Sequence, residues 1–367
     1  MKKQPAPSMP FWLKLFFGTV ILACAIIVSV LLFMTVRVAA DYLLNVPLNQ
    51  APSIPRPNGD PIIAELPPPV RVDIIKPAEA EAIPTAPAAR LFDSSGRFTI
   101  LIMGLDRRSG ETIISRTDTM MVMSFDQERK NAFILSIPRD LYVDIPGYRR
   151  ERINTAFVFG ALNGGELGGA QLAMDTVRRN LGIQVDHYLL VDFDAVMRIV
   201  DDVGGVMVDV PFVINDPTYP DMNYGYDPLY INQGLQRMDG ELALKYMRTR
   251  HGDNDFARAR RQQQLLFAFR DQVLANGLSG MLQRGPSLYN NVRGGLFTDL
   301  SVNDLLAVAE TVAGIGRNDI ATAVLDYTYV YSHTTPSGAS VLILRTEAAA
   351  ALIRSLYSGP EANTVTP

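Results

Sequence analysis

The sequence predicts an α/β domain, a central mixed β-sheet flanked by helices, carried behind one N-terminal transmembrane helix and a Pro-rich linker. From about Arg97 onward, strand-like apolar runs alternate with helix-like periodic segments and show no internal repeat, the pattern of one sheet with helices packed on it. Upstream, Leu15–Val36 is uncharged and apolar between Lys14 and Arg37, and residues 38–96 are interrupted by proline every few positions. The expected organisation is a cytoplasmic tail (1–13), an anchor (14–37), an extracytoplasmic linker (38–96), a folded domain (97–357) and a disordered C-terminal tail (358–367).

The 22 residues Leu15–Val36 would form a helix roughly 33 Å long at about 1.5 Å per residue, enough to cross a hydrocarbon core of about 30 Å. Lys2, Lys3 and Lys14 precede it and only Arg37 follows closely, so the positive-inside bias places the short tail in the cytoplasm and the domain outside. Val38-Ala39-Ala40 has the small residues of a leader cleavage site. The apolar stretch is nevertheless longer than the about 7–15 residues of a signal-peptide core, so a retained anchor is expected. Prolines 47, 52, 55, 57, 61, 67–69, 77, 84 and 87 forbid a ladder or a long helix and make the next segment a semi-rigid spacer with polyproline II character.

Within the domain, Phe98–Gly104 is a buried strand ended by glycine. Thr119–Phe125 and Asn131–Ile137 follow as a hairpin around the polar Asp126–Asn131, and Leu141–Ile145 is a short strand before Pro146-Gly147. Gly168–Asn180 reads as a helix with Ala170, Met174 and Val177 on one face, stopped before Gly182. The Gly164-Gly165 and Gly168-Gly169 pairs form no dinucleotide fingerprint and read as a loop into that helix. His187–Val191 is a strand, Asp192 the N-cap of a helix to Asp202, and Gly204-Gly205 a turn into strand Val206–Val210. Residues 215–234 read as a long surface loop. Helices are expected at Met238–Met247, Phe256–Ala275, Ser301–Ala313 and Thr346–Leu356, with strands at Ala323–Tyr329 and Ser340–Leu344.

Composition excludes several chemistries. With 34 Lys+Arg against 38 Asp+Glu and a net charge of −4, the chain lacks the wide basic surface that nucleic acid requires, so no nucleic-acid partner is expected. The one cysteine, Cys24, lies in the apolar span, which leaves the outer domain without a disulfide, a Cys metal site or a Cys nucleophile. Three histidines (His187, His251, His333) make a multi-His metal centre improbable. Signatures for a serine nucleophile elbow, a Ser-x-x-Lys pair, a Walker loop or a His-Glu-x-x-His zinc helix are absent.

What remains is a set of arginines and aspartates at element boundaries. Asp106 and Arg107 end the first strand, Arg116 and Asp118 open the second, and Arg139-Asp140 follow the third. If those strands are neighbours, Asp106, Asp118 and Arg139 meet at one sheet end, where open α/β folds bind ligands. Arg248 and Arg250 leave one face of an extended stretch, and Arg258, Arg260, Arg261 and Gln264 follow on the next helix, Arg260 and Gln264 four apart on one face. Permanently charged planar forks suit phosphate oxygens better than a lysine does. Beside them, two carboxylates suit Mg²⁺, which takes one or two carboxylates together with substrate phosphates. The competing reading is a set of solvated salt bridges with Asp253 and Asp255, or of caps and turns at Asp106 and Asp118.

Five segments in order resemble the LytR-CpsA-Psr (LCP) family of cell-wall glycopolymer phosphotransferases: Ile100–Arg107, Arg116–Met120, Ser136–Asp140, Arg152–Ala156, and Arg248–Gln264 with its Arg-x-Arg-His and Arg-Arg-Gln-Gln-Gln. The resemblance covers roughly residues 97–285, and the anchor and spacer also look like the family's. It implies transfer of an anionic glycopolymer from a polyprenyl-pyrophosphate carrier in the lipid bilayer to the muramic acid C6 hydroxyl of peptidoglycan. It further implies Mg²⁺ at Asp106 and Asp118, catalytic roles for Asp106, Asp118 and Arg139, and pyrophosphate binding by Arg116, Arg139, Arg248, Arg250, Arg258, Arg260 and Gln264. Ala257 stands where the family commonly has Gly and Phe157 where it often has Tyr; neither departure changes charge. A pyrophosphatase would need the same site with water as acceptor, and a non-catalytic receptor would keep the arginines without the carboxylates. Phe157, Val158, Phe159, Leu162 and the apolar face of 256–269 are candidates for a lipid groove or simply for core. Tyr219, Tyr224, Tyr226 and Tyr230 are candidates for stacking on sugars or for an ordered surface loop.

Overall fold

The computed structural model describes residues 96–107, 113–221, 225–250, 254–277, 288–292 and 294–359. The expected tail, span and nearly all of the spacer, and most of the C-terminal tail, lie outside the described residues, as do Tyr224, His251 and Asp253.

The centre is a six-stranded mixed sheet. Its strands are β1 (Arg97–Leu105), β2 (Thr117–Asp126), β3 (Asn131–Ser136), β6 (His187–Val191), β11 (Leu296–Thr298) and β12 (Ile320–Val324), in the order β11-β6-β1-β2-β3-β12. β1 is buried along almost its whole length because both sheet faces are covered, which is why its sequence is a continuous apolar run. β1 runs antiparallel to β2 and parallel to β6, and β3 runs parallel to β12. The C-terminal ends of β1, β3, β6 and β12 and the start of β2 therefore lie at one end of the sheet.

Leu101, Met103 and Leu105 point to the face covered by α1 (Ala156–Leu181) and α6 (Thr346–Ser358). Phe98 and Ile100 point to the opposite face, where α4 (Asp255–Ala275) and α5 (Val302–Gly314) lie. A separate apolar centre joins β7 (Val206–Val210), β8 (Ile214–Asp216), β9 (Leu229–Ile231) and β10 (Gly234–Met238) to α2 (Phe193–Asp202), α3 (Gly240–Arg248) and the Leu265–Ala268 side of α4. Two further hairpins, β4 (Tyr142–Asp144) with β5 (Arg150–Arg152) and β13 (Val330–Thr334) with β14 (Ser340–Leu344), meet through the Leu141–Leu342 bridge.

Three expectations change. α1 starts at Ala156 rather than Gly168, and its two halves meet at a break where Gly164 is non-helical and Gly165 has φ +61°. There the helix folds sharply on itself: a Cβ on Gly160 would sit 2.1 Å from the Gly168 carbonyl oxygen, and one on Gly169 would sit 2.7 Å from the Phe157 ring. Glycines that sequence reasoning reads as loop are thus the packing surface of a bent helix. Phe157 is accordingly fully buried core, while Leu162 is exposed. The 215–234 segment carries β8 and β9, three-residue strands too short for a periodicity signal, and the start of β10, and Tyr219 within it is buried. β12 ends at Val324, not Tyr329, because Asp326 closes a turn: the Tyr329 and Val330 amides both donate to its carbonyl oxygen.

Candidate active site

The sheet end carries a cleft of about 630 Å³ lined by Asp106, Asp118, Arg139, Arg248, Arg250 and Arg258, among others. Each arrives from a different element. Asp106 leaves β1, Asp118 is the second residue of β2, and Arg139 follows β3. Arg248 ends α3. The extended backbone of Thr249 then carries Arg250 out of the helix, before Asn254 caps α4 by accepting from the Ala257 amide at 3.0 Å.

The charges interlock. Arg139 meets Asp118 at 2.8 Å and Asp255 at 3.5 Å; Arg250 meets the same two carboxylates at 3.6 and 3.4 Å. Arg258 reaches Asp255 at 3.6 Å and donates to the Asp118 carbonyl oxygen at 3.3 Å. Arg248 approaches Asp106 at 4.0 Å, lies 4.0 Å from the centroid of the Phe193 ring and donates to the Tyr219 hydroxyl at 3.3 Å. Burial lowers the pKa of Arg258 to about 10, with Arg250 and Arg139 pushing the same way and Asp255 and Asp118 against; it remains a cation at neutral pH. For Arg139 burial pulls down, but the Asp118 hydrogen bond and the charges of Asp118, Asp255 and Asp140 outweigh it and raise the pKa.

A buried polar frame holds these groups. Arg258, Arg261, Gln262 and Leu265 form one stripe of α4 at helical spacing, all buried. Arg261 donates to the carbonyl oxygens of Tyr246 (3.0 Å) and Thr249, and the Thr249 hydroxyl donates to Asp216 at 2.7 Å. Gln262 donates to the Thr119 hydroxyl at 2.9 Å, and Gln263 to the Ser136 hydroxyl and Ala323 carbonyl, both at 2.8 Å. Asp192 caps α2 as expected, accepting from the Ala195 amide, and aligns Phe193 beneath Arg248.

Of the residues singled out from sequence, six lie in the cleft and three do not. Arg116 is exposed ahead of β2. Arg260 turns to Asp326 at 2.7 Å on the outer side of α4. Gln264 accepts from the Tyr246 hydroxyl and donates to the Asp209 carbonyl, tying α4 to β7. Sequence reasoning missed Phe193, Gln262, the place of Asp192 in the cleft lining and the hub role of Asp255. The period of three and four from Arg258 through Arg261 and Gln262 to Leu265 was the signal that these polar side chains face inward. Phe193 gave none.

Asp106 and Asp118 offer two hard oxygen donors to one cleft. Among the described residues no group of three or more His, Cys, Asp or Glu is arranged around a metal. That donor set fits a Mg²⁺ ion completed by substrate phosphates and does not fit an all-protein cage.

The sequence model of the LytR_cpsA_psr family matches residues 74–356. This chain belongs to the LytR_cpsA_psr family. Over 238 residues it is 32% identical to the polyisoprenyl-teichoic acid–peptidoglycan teichoic acid transferase TagU of Oceanobacillus iheyensis, covering 64% of this chain and 68% of that protein. It is 33% identical over 184 residues to the regulatory protein MsrR of Staphylococcus aureus, so the match spans half that relative's length. Its fold is similar to that of TagT bound to LI-WTA, with TM-score 0.56 and 26% identity, covering 73% of this chain and 93% of that one. This LytR_cpsA_psr member thus shares the α/β architecture, a mixed sheet flanked by helices, with a solved relative.

Proposed function

We propose that this chain is a membrane-anchored transferase that moves an anionic glycopolymer from a polyprenyl-pyrophosphate carrier to the muramic acid C6 hydroxyl of peptidoglycan, with Mg²⁺ in the site. The carrying observation is the convergence of four arginines with Asp106 and Asp118 in a cleft that shares Ile102 with a second, apolar cavity. That cavity, about 250 Å³, lies between the sheet and helices α4 and α5, lined by residues such as Ile100, Phe269, Val308 and Val312. A pyrophosphate head in the first and a polyprenyl tail in the second match the two halves of such a carrier. The teichoic acid transferase TagU and the LI-WTA complex of TagT, to which this chain is similar, support the same substrate class. The expected anchor and outward topology would keep the cleft at the leaflet that presents the carrier.

In this reading Arg139, Arg250 and Arg258 neutralise the phosphoryl group in flight, and Arg248 holds the carrier phosphate. Asp118 and Asp255 fix the guanidinium planes before substrate arrives, so no reorganisation is needed at the moment of reaction. Mg²⁺ held by Asp106 and Asp118 would supply further charge neutralisation on the phosphates. Among the described residues Asp106 has one long ion pair, and its side chain is exposed, which leaves it lone pairs for the acceptor proton. The new P–O bond forms to the sugar hydroxyl, the bond to the carrier phosphate breaks, and polyprenyl phosphate leaves. No protein nucleophile is required.

Arg139→Ala and Arg248→Ala are expected to lower polymer attachment by about 10²–10³ each while the chain stays folded and membrane-bound. Wild-type transfer in both would overturn the proposal.

A further inference from the structure

Beyond β3 the sheet continues to β12, and the turn that follows β12 presents aromatic rings to solvent. Tyr327 is 57% exposed and Tyr331 42% exposed, four residues apart across the turn that Asp326 closes. Both rings are open to a ligand approaching from solvent. These rings are also rigidly seated. Tyr327 packs edge-on against Phe256 at 4.8 Å between centroids and 78° between planes, and Arg260 holds Asp326 at 2.7 Å. The guanidinium of Arg345 lies 5.4 Å from the Tyr331 ring centroid.

The turn packs on the first turns of α4, the helix that carries Arg258 into the cleft. Phe256 follows Asp255, which binds Arg139 and Arg250, so Tyr327 packs on the chain neighbour of the carboxylate that anchors the arginine cluster. In strand order β12 lies three steps from β1, where Ile102 joins the apolar cavity; at about 4.8 Å per step that is roughly 14 Å. In-line phosphoryl transfer requires the acceptor to enter opposite the leaving carrier, and this turn lies at the sheet edge away from the β1–β6 side. Rings flanked by an arginine and an aspartate suit a ligand with an apolar face and a hydroxylated rim, which a pyranose has and a polyprenyl chain lacks.

We propose that Tyr327 and Tyr331, with Arg345 and Asp326 at their edges, form a saccharide subsite that receives the glycan acceptor. The subsite rests on the transferase reading for its place in the reaction, but glycan binding is measurable without transfer. The test uses the full chain in detergent and a peptidoglycan-derived tetrasaccharide of alternating N-acetylglucosamine and N-acetylmuramic acid. Variants are Tyr327→Ala, Tyr331→Ala, the double variant and Tyr327→Trp. Each alanine is expected to raise the tetrasaccharide Kd and acceptor KM roughly 2–10-fold, the double variant more, with kcat and donor KM unchanged and Tyr327→Trp close to wild type. Unchanged Kd and acceptor KM in the folded double variant would overturn the subsite. So would a rise in donor KM alone. If the wild-type chain binds the tetrasaccharide in a tyrosine-dependent way yet transfers nothing, the subsite stands and the transferase reading falls.

Discussion

Arg248 is the cleft arginine whose orientation depends on neutral neighbours, which makes its support measurable. Its guanidinium lies 4.0 Å from the Phe193 ring centroid and donates to the Tyr219 hydroxyl at 3.3 Å, against a distant carboxylate at 4.0 Å. A cation–π contact contributes about 0.5–1 kcal/mol when exposed and about 2 when desolvated. The Arg248 side chain is 23% exposed, so about 1 kcal/mol is expected for Phe193→Leu, which keeps volume but removes the π face. Tyr219→Phe removes a hydrogen bond contributing about 1 kcal/mol. If both act by holding Arg248 on the carrier phosphate, the double variant loses about 2 kcal/mol of transition-state binding, roughly a 30-fold fall in kcat/KM. Steady-state transfer assays on the two single variants, the double variant and Arg248→Ala measure this. In the Arg248→Ala background the same two substitutions should cost little more, because their target is gone. Wild-type kcat/KM in the double variant, or a full additional loss without Arg248, would refute the reasoning.

The bend in α1 predicts that Gly160→Ala destabilises by roughly 1–3 kcal/mol, because its Cβ would meet backbone at 2.1 Å; an unchanged denaturant midpoint would contradict this. The apolar cavity predicts that Val308→Asp strongly impairs use of a long-chain polyprenyl donor but spares a short-chain analogue, read by comparing KM for the two donors. His187 on β6 lies 3.0 Å from Asp299 and is buried. Burial lowers its pKa, but the Asp299 hydrogen bond and the charges of Asp299, Asp186 and Asp304 outweigh that and raise it above 6.5. Its stabilisation is therefore complete below about pH 6.5 and is lost as pH rises through the higher folded value. His187→Leu should flatten that part of the curve of thermal midpoint against pH; an unaltered slope would contradict it.

Much of the fold was legible because long elements announce themselves. The apolar runs of β1 to β3, the strand His187–Val191 with its Asp192 cap, and the amphipathic α3 and α6 all carry their period and their punctuation in the chain. The elements that escaped are those whose signal is tertiary. Gly160, Gly168 and Gly169 are small because two helical turns must touch, and nothing local distinguishes that from a loop. β8 and β9 span three residues each, below any period. At the site, the boundary positions of Asp106, Asp118 and Arg139 were readable because strand ends are where side chains converge. Arg260 and Arg258 differ by two positions on one helix, and only the buried stripe through Leu265 separates them. One faces the cleft, the other Asp326.

The most direct test of the central claim is transfer itself. Full-length chain in detergent would be incubated with a radiolabelled polyprenyl-pyrophosphate-linked saccharide, Mg²⁺ and peptidoglycan fragments, and the label followed to its product. The account predicts label on the peptidoglycan glycan through a phosphodiester, in amounts that fall by about 10²–10³ in Arg139→Ala. Label released only as free phosphorylated saccharide, with none on the glycan, would contradict it and identify a hydrolase.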